Sequence, residues 1–205
     1  CALNIKSEDL RQKVREKRIG NTFLFVVDAS GSMGARERMR AVKGAIFYML
    51  QEAYQKRDRV GMVAFRRQKA ELLLPITRSV DLAQKCLAEM PTGGKTPLAD
   101  GLSTAWVTLG MLNKKDSELE PILILVTDGR ANAIEENSGD PVESALKMAE
   151  KIRKAKITSV VIDTETDFIK LGVAKAVAKA MGATYYSLRS LSQEQILRIV
   201  RNLDV

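Results

Sequence analysis

Five polar side chains in three separate segments could bind one divalent cation together. Asp28, Ser30 and Ser32 alternate in the segment DASGS, Thr96 follows GGK, and Asp128 lies in TDG. All five offer oxygen atoms, and oxygen-only sites of low charge suit Mg²⁺, or Mn²⁺. Only two of the five are carboxylates, so the site would not fully neutralise the ion. The ion could therefore also bind a water molecule or a carboxylate from outside. The pattern predicts a magnesium site that an external ligand completes.

Each segment taken alone also has a structural explanation. Ser, Asp and Gly at strand ends are common turn and helix-cap residues. DASGS by itself would therefore be a plain turn at least as often as a metal site. The combination with Thr96 and Asp128, in the right order along an α/β sequence, favours the metal site.

The segment Gly93-Gly94-Lys95-Thr96 also resembles the end of a phosphate-binding loop. That loop has the pattern G-x-x-x-x-G-K-[ST], and its first Gly would fall on Glu89 here. The preceding residues 79–90 are predicted to be helical, whereas the motif follows a strand. Spacing and context both argue against a nucleotide site, and Thr96 is assigned to the metal site.

The elements that must position these residues alternate between strand and helix. Apolar, β-rich segments predict strands over residues 21–28, 59–65, 70–76, 121–128, 157–163 and 183–188. Apolar spacing near 3.6 residues predicts helices over residues 36–55, 79–90, 98–109, 141–155, 169–181 and 192–203. This alternation predicts an α/β fold: a doubly wound, mainly parallel sheet with helices on both faces.

The polar turn between the second and third predicted strands is short enough for a hairpin, so the sheet should contain one antiparallel edge strand. Ligands of doubly wound sheets bind beyond the carboxyl ends of the strands, near the switch in strand order. Two predicted strands end there in Asp28 and Asp128. The fold therefore supports the metal-site hypothesis.

Composition limits the function classes. The chain has 205 residues, of which 45% are hydrophobic, and we expect a basic lead-in segment over 1–20 and one globular domain over 21–205. No apolar run approaches the ~20 residues of a membrane span, so no membrane partner is expected. The absence of His argues against Ser-His-Asp triads and common zinc sites. Cys1 and Cys86 are far apart, which fits a reducing, cytoplasmic setting.

The net charge of +8 raises the question of a nucleic-acid partner. Basic residues cluster outside the lead-in at Arg36, Arg38, Arg40, Lys43, Lys56, Arg57, Arg59, Arg66, Arg67 and Lys69. Only 5% of residues are aromatic, and no nucleic-acid motif is present. We therefore favour solvated faces or an acidic protein partner, and nucleic acid is the weaker hypothesis.

The three metal segments resemble the metal-ion-dependent adhesion site of von Willebrand factor A domains, the integrin I-like family. The resemblance implies that Ser30, Ser32 and Thr96 are direct or near-direct ligands. It also implies that Asp28 and Asp128 bind directly or through water. An Asp or Glu of a protein partner would then complete the octahedron.

Longer segments are similar to the C-terminal domain of the magnesium chelatase D subunit. They are DLRQKVREKRIGN, FVVDASGSMGARERMRAVKGA, RDRVGMVAF, PTGGKTPLADGL, LVTDGRAN and VVIDTE, and the resemblance covers roughly residues 8–202. In that family the D subunit assembles with an AAA+ ATPase, the I subunit, and the pair drives Mg²⁺ insertion into protoporphyrin by the large H subunit. Related cobalt chelatases use a similar arrangement.

The resemblance implies a non-catalytic, Mg²⁺-dependent adaptor of a magnesium or cobalt chelatase-type complex. Its expected partners are the AAA+ ATPase subunit and the large chelatase subunit. The sequence lacks the AAA+ domain and the acidic, Pro-rich linker of a whole D subunit. An excised domain and a free-standing partner of another, MoxR-like AAA+ ATPase therefore both remain open.

Two other function classes make different predictions. Hydrolases of the haloacid dehalogenase type also begin with a strand ending in Asp and use Mg²⁺, but they need a second Asp two residues on as acid/base. Ser30 occupies that position here. A nucleic-acid binder would lose affinity steeply with salt and be insensitive to EDTA.

Four other residues were considered for roles beside the metal site. Asp163 and Glu165 follow another strand, where a polar strand terminus is favoured over an outer rim of the metal face. Arg130 is a surface arginine that could meet an acidic partner. Trp106 belongs to an apolar helical stripe and is expected in the core, as are the helical methionines.

Overall fold

The computed structural model describes residues 20–30, 35–56, 58–88, 93–115, 120–129, 140–165, 172–187 and 192–203. The predicted ligand Ser32, the predicted partner contact Arg130 and the lead-in up to residue 19 lie outside the described residues.

Six strands form one sheet in the described part of the chain. They are β1 Thr22–Asp28, β2 Arg59–Arg66, β3 Lys69–Thr77, β4 Pro121–Thr127, β5 Thr158–Asp163 and β6 Thr184–Ser187. Their spatial order is β3-β2-β1-β4-β5-β6. Every neighbouring pair is parallel except β2 and β3, which are antiparallel at one edge. The predicted doubly wound sheet with one antiparallel edge strand is confirmed.

Helices cover both faces of this sheet. Their bounds are α1 Ala35–Lys56, α2 Val80–Leu87, α3 Leu98–Lys115, α4 Pro141–Lys154, α5 Val173–Met181 and α6 Gln193–Arg201. Buried side chains of α1, α2 and α6 belong to one core cluster, and those of α3, α4 and α5 belong to the other. Local capping helps to set some of these bounds: the Asp140 side chain accepts from the Val142 N–H, and Pro141 occupies the first helical position of α4.

The central strands are apolar on both sides because both faces are covered. In β1, Phe23, Phe25 and Val27 point into the α1–α2–α6 layer, while Leu24 and Val26 point into the α3–α4–α5 layer. All five are at most 1% exposed. Burial of such side chains is worth about 1.5–3 kcal/mol each, so β1 is a rigid base for the residues that follow it.

Two sequence predictions about apolar side chains were wrong. Trp106 is 39% exposed rather than buried in the core, and its ring lies 6.0 Å from Lys151 Nζ. Met111 is 67% exposed. Both belong to α3 but lie off its buried face, which is formed by Leu102, Ala105 and Leu109.

None of the helices in the described ranges is long and apolar enough to cross a membrane.

Candidate metal centre

The carboxyl ends of β1 and β4 lie side by side at the centre of the sheet. The chain continues from β1 toward β2 on one side, whereas β4 leads to β5 on the other, so strand order switches between them. Val27 pairs with Val126, which places Asp28 beside Thr127 and just ahead of Asp128. Doubly wound sheets bind ligands at this kind of crevice.

Asp28 is fully buried and is held by both loops. Its Oδ1 accepts a hydrogen bond from the Ser30 N–H at 2.9 Å, and its Oδ2 accepts from the Thr127 hydroxyl at 3.1 Å. The Thr127 Oγ1 in turn accepts from the Gly129 N–H at 3.0 Å. These bonds fix the Asp28 carboxylate relative to the loop that carries Asp128.

Asp128 is 4% exposed and precedes a turn that only glycine adopts easily. Gly129 has φ 74°, in the left-handed region, and a Cβ there would lie 3.0 Å from the Ala174 backbone nitrogen. The Gly of TDG therefore lets the chain turn directly after Asp128 and pass close to the start of α5.

The threonine loop is tied to the residue that follows Asp28. The Gly93 N–H donates to the Ala29 carbonyl oxygen at 2.9 Å, and Thr96 is 1% exposed. Helix α3 begins two residues later, and its first N–H, that of Leu98, donates to the Thr96 carbonyl oxygen at 3.0 Å. The segment that looked like a phosphate-binding loop thus runs from α2 to α3 across the end of β1.

Four of the five predicted ligands are therefore buried at one edge of the sheet. This group, called the metal edge below, consists of Asp28, Ser30, Thr96 and Asp128. Ser30 is 2% exposed, alongside the values already given for Asp28, Thr96 and Asp128. Within the described ranges, no three His, Cys, Asp or Glu side chains form a group that could hold a metal ion. A cation at this edge would accordingly depend on hydroxyl oxygens as well as on the two carboxylates, as a hard-oxygen Mg²⁺ site allows.

The electrostatics of this edge favour a cation. Burial, and after it the negative charge of Asp128, raises the pKa of Asp28 from 3.8 to about 6. The Arg38 charge and the hydrogen bonds from Ser30 lower the pKa without cancelling these effects. Two buried carboxylates repel each other, and a bound cation would relieve that repulsion. The donor set and its charge therefore fit Mg²⁺.

Arg38 is a component of this edge that the sequence reasoning missed. It was grouped with the basic residues of solvated faces, but it is 3% exposed. Its Nη1 lies 3.4 Å from Asp128 Oδ2 and 3.5 Å from the Thr164 Oγ1. The helical spacing could have revealed it, because Arg38 lies four residues before the buried Val42 and seven before the buried Ala45. Arg36 and Arg40 are exposed, as expected.

The next strand end uses its carboxylate differently. Asp163 Oδ1 accepts from the Glu165 N–H at 2.8 Å, and its Oδ2 accepts from the Tyr185 hydroxyl at 2.5 Å. Burial raises the pKa of Tyr185 to about 12, helped by this hydrogen bond. Asp163 and Glu165 are 2% and 5% exposed, so they do not form an open rim around the metal edge.

Thr164 connects the two strand ends. Its N–H and its hydroxyl both donate to the Thr127 carbonyl oxygen, at 2.9 and 3.2 Å. The same hydroxyl lies near Arg38. The strand β5 therefore supports the metal edge through backbone and hydroxyl contacts rather than by adding a ligand.

Comparison with known proteins gives matches over most of the chain. The sequence model of the von Willebrand factor type A domain matches residues 23–131. An uncharacterized protein of Methanocaldococcus jannaschii is 43% identical over 84% of this chain and 99% of its own length. The magnesium-chelatase 67 kDa subunit of Chlorobaculum tepidum is 37% identical over 96% of this chain. The 60 kDa subunit of Cereibacter sphaeroides is 38% identical over 92%.

The chain spans only 33% of the length of each of these two chelatase subunits. It likewise spans 30% of an uncharacterized Mycobacterium tuberculosis protein to which it is 40% identical over 96% of its own length.

Solved structures agree on the fold. The protein BatB of Bacteroides thetaiotaomicron superposes with a TM-score of 0.65 at 20% identity, covering 90% of this chain and 98% of that one. The SpRpn10 VWA domain also gives 0.65, at 13% identity, covering 87% and 94%. At these identities the likeness concerns the fold alone.

Proposed function

The chain belongs to the von Willebrand factor type A domain family, and on that premise we propose that it is a Mg²⁺-dependent protein-binding module. Asp28, Ser30, Ser32, Thr96 and Asp128 would hold the ion, and Mn²⁺ would suit the same oxygens. When bound, the ion supplies a positive charge and a coordination position for an oxygen from outside. A carboxylate of a protein partner would occupy that position.

The observation that carries this proposal is the buried pair of carboxylates at the switch point. Asp28 and Asp128 are almost completely removed from water, and their mutual repulsion contributes to the raised pKa of Asp28. Burial of two like charges is costly unless a cation compensates them. Arg38 provides part of that compensation, through one contact of 3.4 Å to Asp128.

The residues around the ligands would hold them in place for the ion. Thr127 and the Ser30 backbone fix both oxygens of Asp28, while the Gly93–Ala29 hydrogen bond fixes the threonine loop. Such outer contacts typically change metal affinity by about 10- to 100-fold when they are removed. The module would thus be largely preformed before a partner arrives.

We propose a chelatase-type complex as the setting, because the chain is similar to magnesium-chelatase subunits over almost its whole length. Its partners there would be an AAA+ ATPase subunit and the large chelatase subunit, in the cytoplasm. The module would act as an adaptor and would not catalyse the insertion itself.

A second setting is a free-standing domain that serves another, MoxR-like AAA+ ATPase. The match to the Methanocaldococcus jannaschii protein supports it, because that relative is covered over 99% of its length and so consists of little more than this domain. Both settings share the same docking chemistry and differ in which ATPase is bound.

A hydrolase of the dehalogenase type has weaker support. The residue two positions after Asp28 is Ser30, which is 2% exposed and donates its backbone N–H to the Asp28 carboxylate. A serine hydroxyl at that position does not supply the acid/base group that such a reaction needs.

The test is a capture experiment from native lysate with the chain as bait. Wild type, Asp28→Asn and Asp128→Asn are compared in Mg²⁺ and in EDTA, with Asp81→Asn as an exposed control of equal charge change. We expect mass spectrometry to identify an AAA+ ATPase with wild type and Asp81→Asn in Mg²⁺ only. Equal recovery in EDTA, or with Asp28→Asn, would contradict the proposal. Circular dichroism verifies that each variant is folded.

A further inference from the structure

A cluster of positive charge lies beside the metal edge and has no role so far. It consists of Arg66, Arg67 and Lys69, at the turn where β2 passes into β3, and is called the basic hairpin below. Among the described residues none of these three side chains makes an ion pair.

The basic hairpin is next to the proposed metal site in the sheet. Strand β2 is the parallel neighbour of β1, with Phe65 paired to Asp28, and the Ala29 N–H donates to the Phe65 carbonyl oxygen at 3.0 Å. Arg66 therefore follows at the level of Ala29 and Ser30. Because adjacent strands are about 4.8 Å apart, the hairpin begins roughly 5–10 Å from the metal ligands.

The hairpin also forms one wall of the threonine loop. A Cβ on Gly94 would lie 2.5 Å from Arg67 Cγ and 3.1 Å from Arg67 Cα, so the glycine permits this close contact. Gly94 has φ 97°, which favours glycine as well. On the other side, the Ala70 N–H donates to the Asp100 carboxylate in the first turn of α3. The positions of the basic side chains are thus coupled to the loop that carries Thr96.

The three charges border an open cavity of about 320 Å³. It is lined by Ala64, Arg66, Arg67, Gln68, Lys69, Glu71 and Leu73. Arg66 Nη1 is shielded from water and makes no hydrogen bond in the described structure. A buried N–H group without a partner is uncommon, and a carboxylate in this cavity would supply one.

The turn itself does not account for an arginine at its tip. Arg67 has φ 58°, in the left-handed region where glycine or asparagine is favoured. The side chain is exposed and so contributes little to the core. Its guanidinium is therefore accessible to a group outside the chain.

We propose that the basic hairpin binds a second carboxylate of the protein partner, beside the carboxylate that completes the metal site. This inference rests on the proposed function and specifies its partner as an acidic segment. A guanidinium presents paired N–H groups that match a carboxylate. An extended segment advances about 3.3 Å per residue, so the second acidic residue should follow or precede the metal-binding one by roughly two to four positions.

A protein carboxylate fits this surface better than a nucleic acid. None of the described residues that line the cavity is aromatic, so bases would have no stacking platform there. The proposed metal site binds one carboxylate of the partner. A second carboxylate on the same segment would then lie close to the basic hairpin.

The test selects ligands from a random dodecapeptide phage library with the full chain as target. The three arms are wild type in Mg²⁺, wild type in EDTA, and the triple variant Arg66→Gln, Arg67→Gln, Lys69→Gln in Mg²⁺. We expect wild type to enrich peptides with two acidic residues two to four positions apart. The triple variant should enrich peptides with a single acidic residue, still in a Mg²⁺-dependent way.

Affinity measurements on a selected peptide show how much the basic hairpin contributes to binding. The triple variant should bind at least about threefold more weakly than wild type, in line with the loss of exposed ion pairs. The matched control is Lys154→Gln, Lys175→Gln, Lys179→Gln, which removes three exposed charges from α4 and α5 and should bind like wild type. Arg67→Gln and Lys69→Gln, both at exposed positions, replace the triple variant if Arg66→Gln unfolds it.

The outcomes separate this inference from the proposed function. Mg²⁺-dependent peptides with one acidic residue, bound equally by the triple variant, would overturn the role of the hairpin and leave the metal module intact. Peptides that bind equally in EDTA but not to the triple variant would support the hairpin and contradict the metal-dependent function. Tighter binding of single-stranded oligouridine than of any peptide, lost in the triple variant, would replace the acidic partner with RNA.

Discussion

Two strand ends of the same sheet hold buried carboxylates, and they use them in opposite ways. At β5, Asp163 accepts hydrogen bonds from neutral donors, the Tyr185 hydroxyl and the Glu165 N–H. At β1, Asp28 also accepts two hydrogen bonds, but it faces the charge of Asp128 across the switch point. One carboxylate is satisfied inside the chain, whereas the other belongs to a pair with excess negative charge.

On the proposed function, one edge of this parallel sheet carries both a structural carboxylate and a binding one. Each strand end buries a second carboxylate nearby, Glu165 after β5 and Asp128 beside β1, and the negative charge of Asp128 contributes to the raised pKa of Asp28. Arg38 contacts both regions. Its Nη1 lies near Asp128, which belongs to the binding region, and near Thr164, which belongs to the structural region. Variants of these residues test whether the distinction is real.

The largest effect is expected from Arg38→Met. Removing the guanidinium takes away the positive charge 3.4 Å from the buried Asp128, which should lower the free energy of unfolding by about 3–5 kcal/mol in EDTA. Mg²⁺ should restore part of this loss, because the ion replaces the missing positive charge. Urea unfolding with and without Mg²⁺ measures both values. Arg36→Met, at an exposed position, is the control, and an equal loss in both buffers would show that Arg38 does not share the metal region.

The pH dependence of stability should come next in size. Because the folded-state pKa of Asp28 is raised from 3.8 to about 6, the folded state binds a proton more readily than the unfolded one. This group therefore destabilises the metal-free protein above pH about 6, and the penalty disappears as the pH falls toward 4. Its full size is roughly 2–3 kcal/mol.

Urea unfolding in EDTA between pH 4 and 8 measures this contribution. Asp28→Asn should remove it and flatten the profile in that window, whereas Asp81→Asn should not. In the same window Mg²⁺ should bind more weakly as the pH falls, because protons compete for Asp28. A wild-type profile identical to that of Asp28→Asn would mean that the pKa of Asp28 is not raised in the folded state.

Much of the metal edge was predictable because strand ends are visible in a sequence. Asp28 and Asp128 each follow an apolar run, and parallel strands bring such ends to one edge of the sheet. The hairpin of β2 and β3 was likewise visible from the short polar turn between two apolar runs. The strand ends and the hairpin follow from local patterns in the sequence, and the structure confirms both, whereas metal binding by these residues stays a prediction.

The features that the sequence did not predict depend on contacts between helices and strands. Arg38 was interpreted by its charge, although its spacing from Val42 and Ala45 placed it on the buried face of α1. Trp106 was placed in the core by its position in the apolar stripe of α3, but it lies beside the buried face formed by Leu102, Ala105 and Leu109. Periodicity does not predict the order of the strands in the sheet. The hydrogen bonds of Asp163 could not be predicted without the position of Tyr185.

Exchanging each aspartate for asparagine compares the two regions directly. Asp163→Asn removes the acceptor charge that holds Tyr185 and the Glu165 turn, which should cost about 1–3 kcal/mol of stability and leave Mg²⁺ affinity unchanged. Asp28→Asn relieves repulsion, so the metal-free protein should keep or gain stability while Mg²⁺ affinity falls by about tenfold or more. Calorimetric Mg²⁺ titration and urea unfolding of both variants provide the measurements. Similar affinity losses in the two variants would contradict the division into regions.

The smallest effect is expected from Tyr185→Phe, which sharpens the structural side of the comparison. It deletes only the hydroxyl that donates to Asp163 Oδ2 and keeps the ring in the sheet. One hydrogen bond to a charged group is worth about 1.5–3 kcal/mol when buried, but Tyr185 is partly exposed and water can replace the donor, so we expect about 1 kcal/mol. Tyr186→Phe on the same strand is the matched control. The hydroxyl also contacts the Ser187 side chain. A loss much larger than that of Asp163→Asn would mean that this second contact contributes more than the bond to the carboxylate, and a loss of Mg²⁺ affinity would extend the metal region to β6.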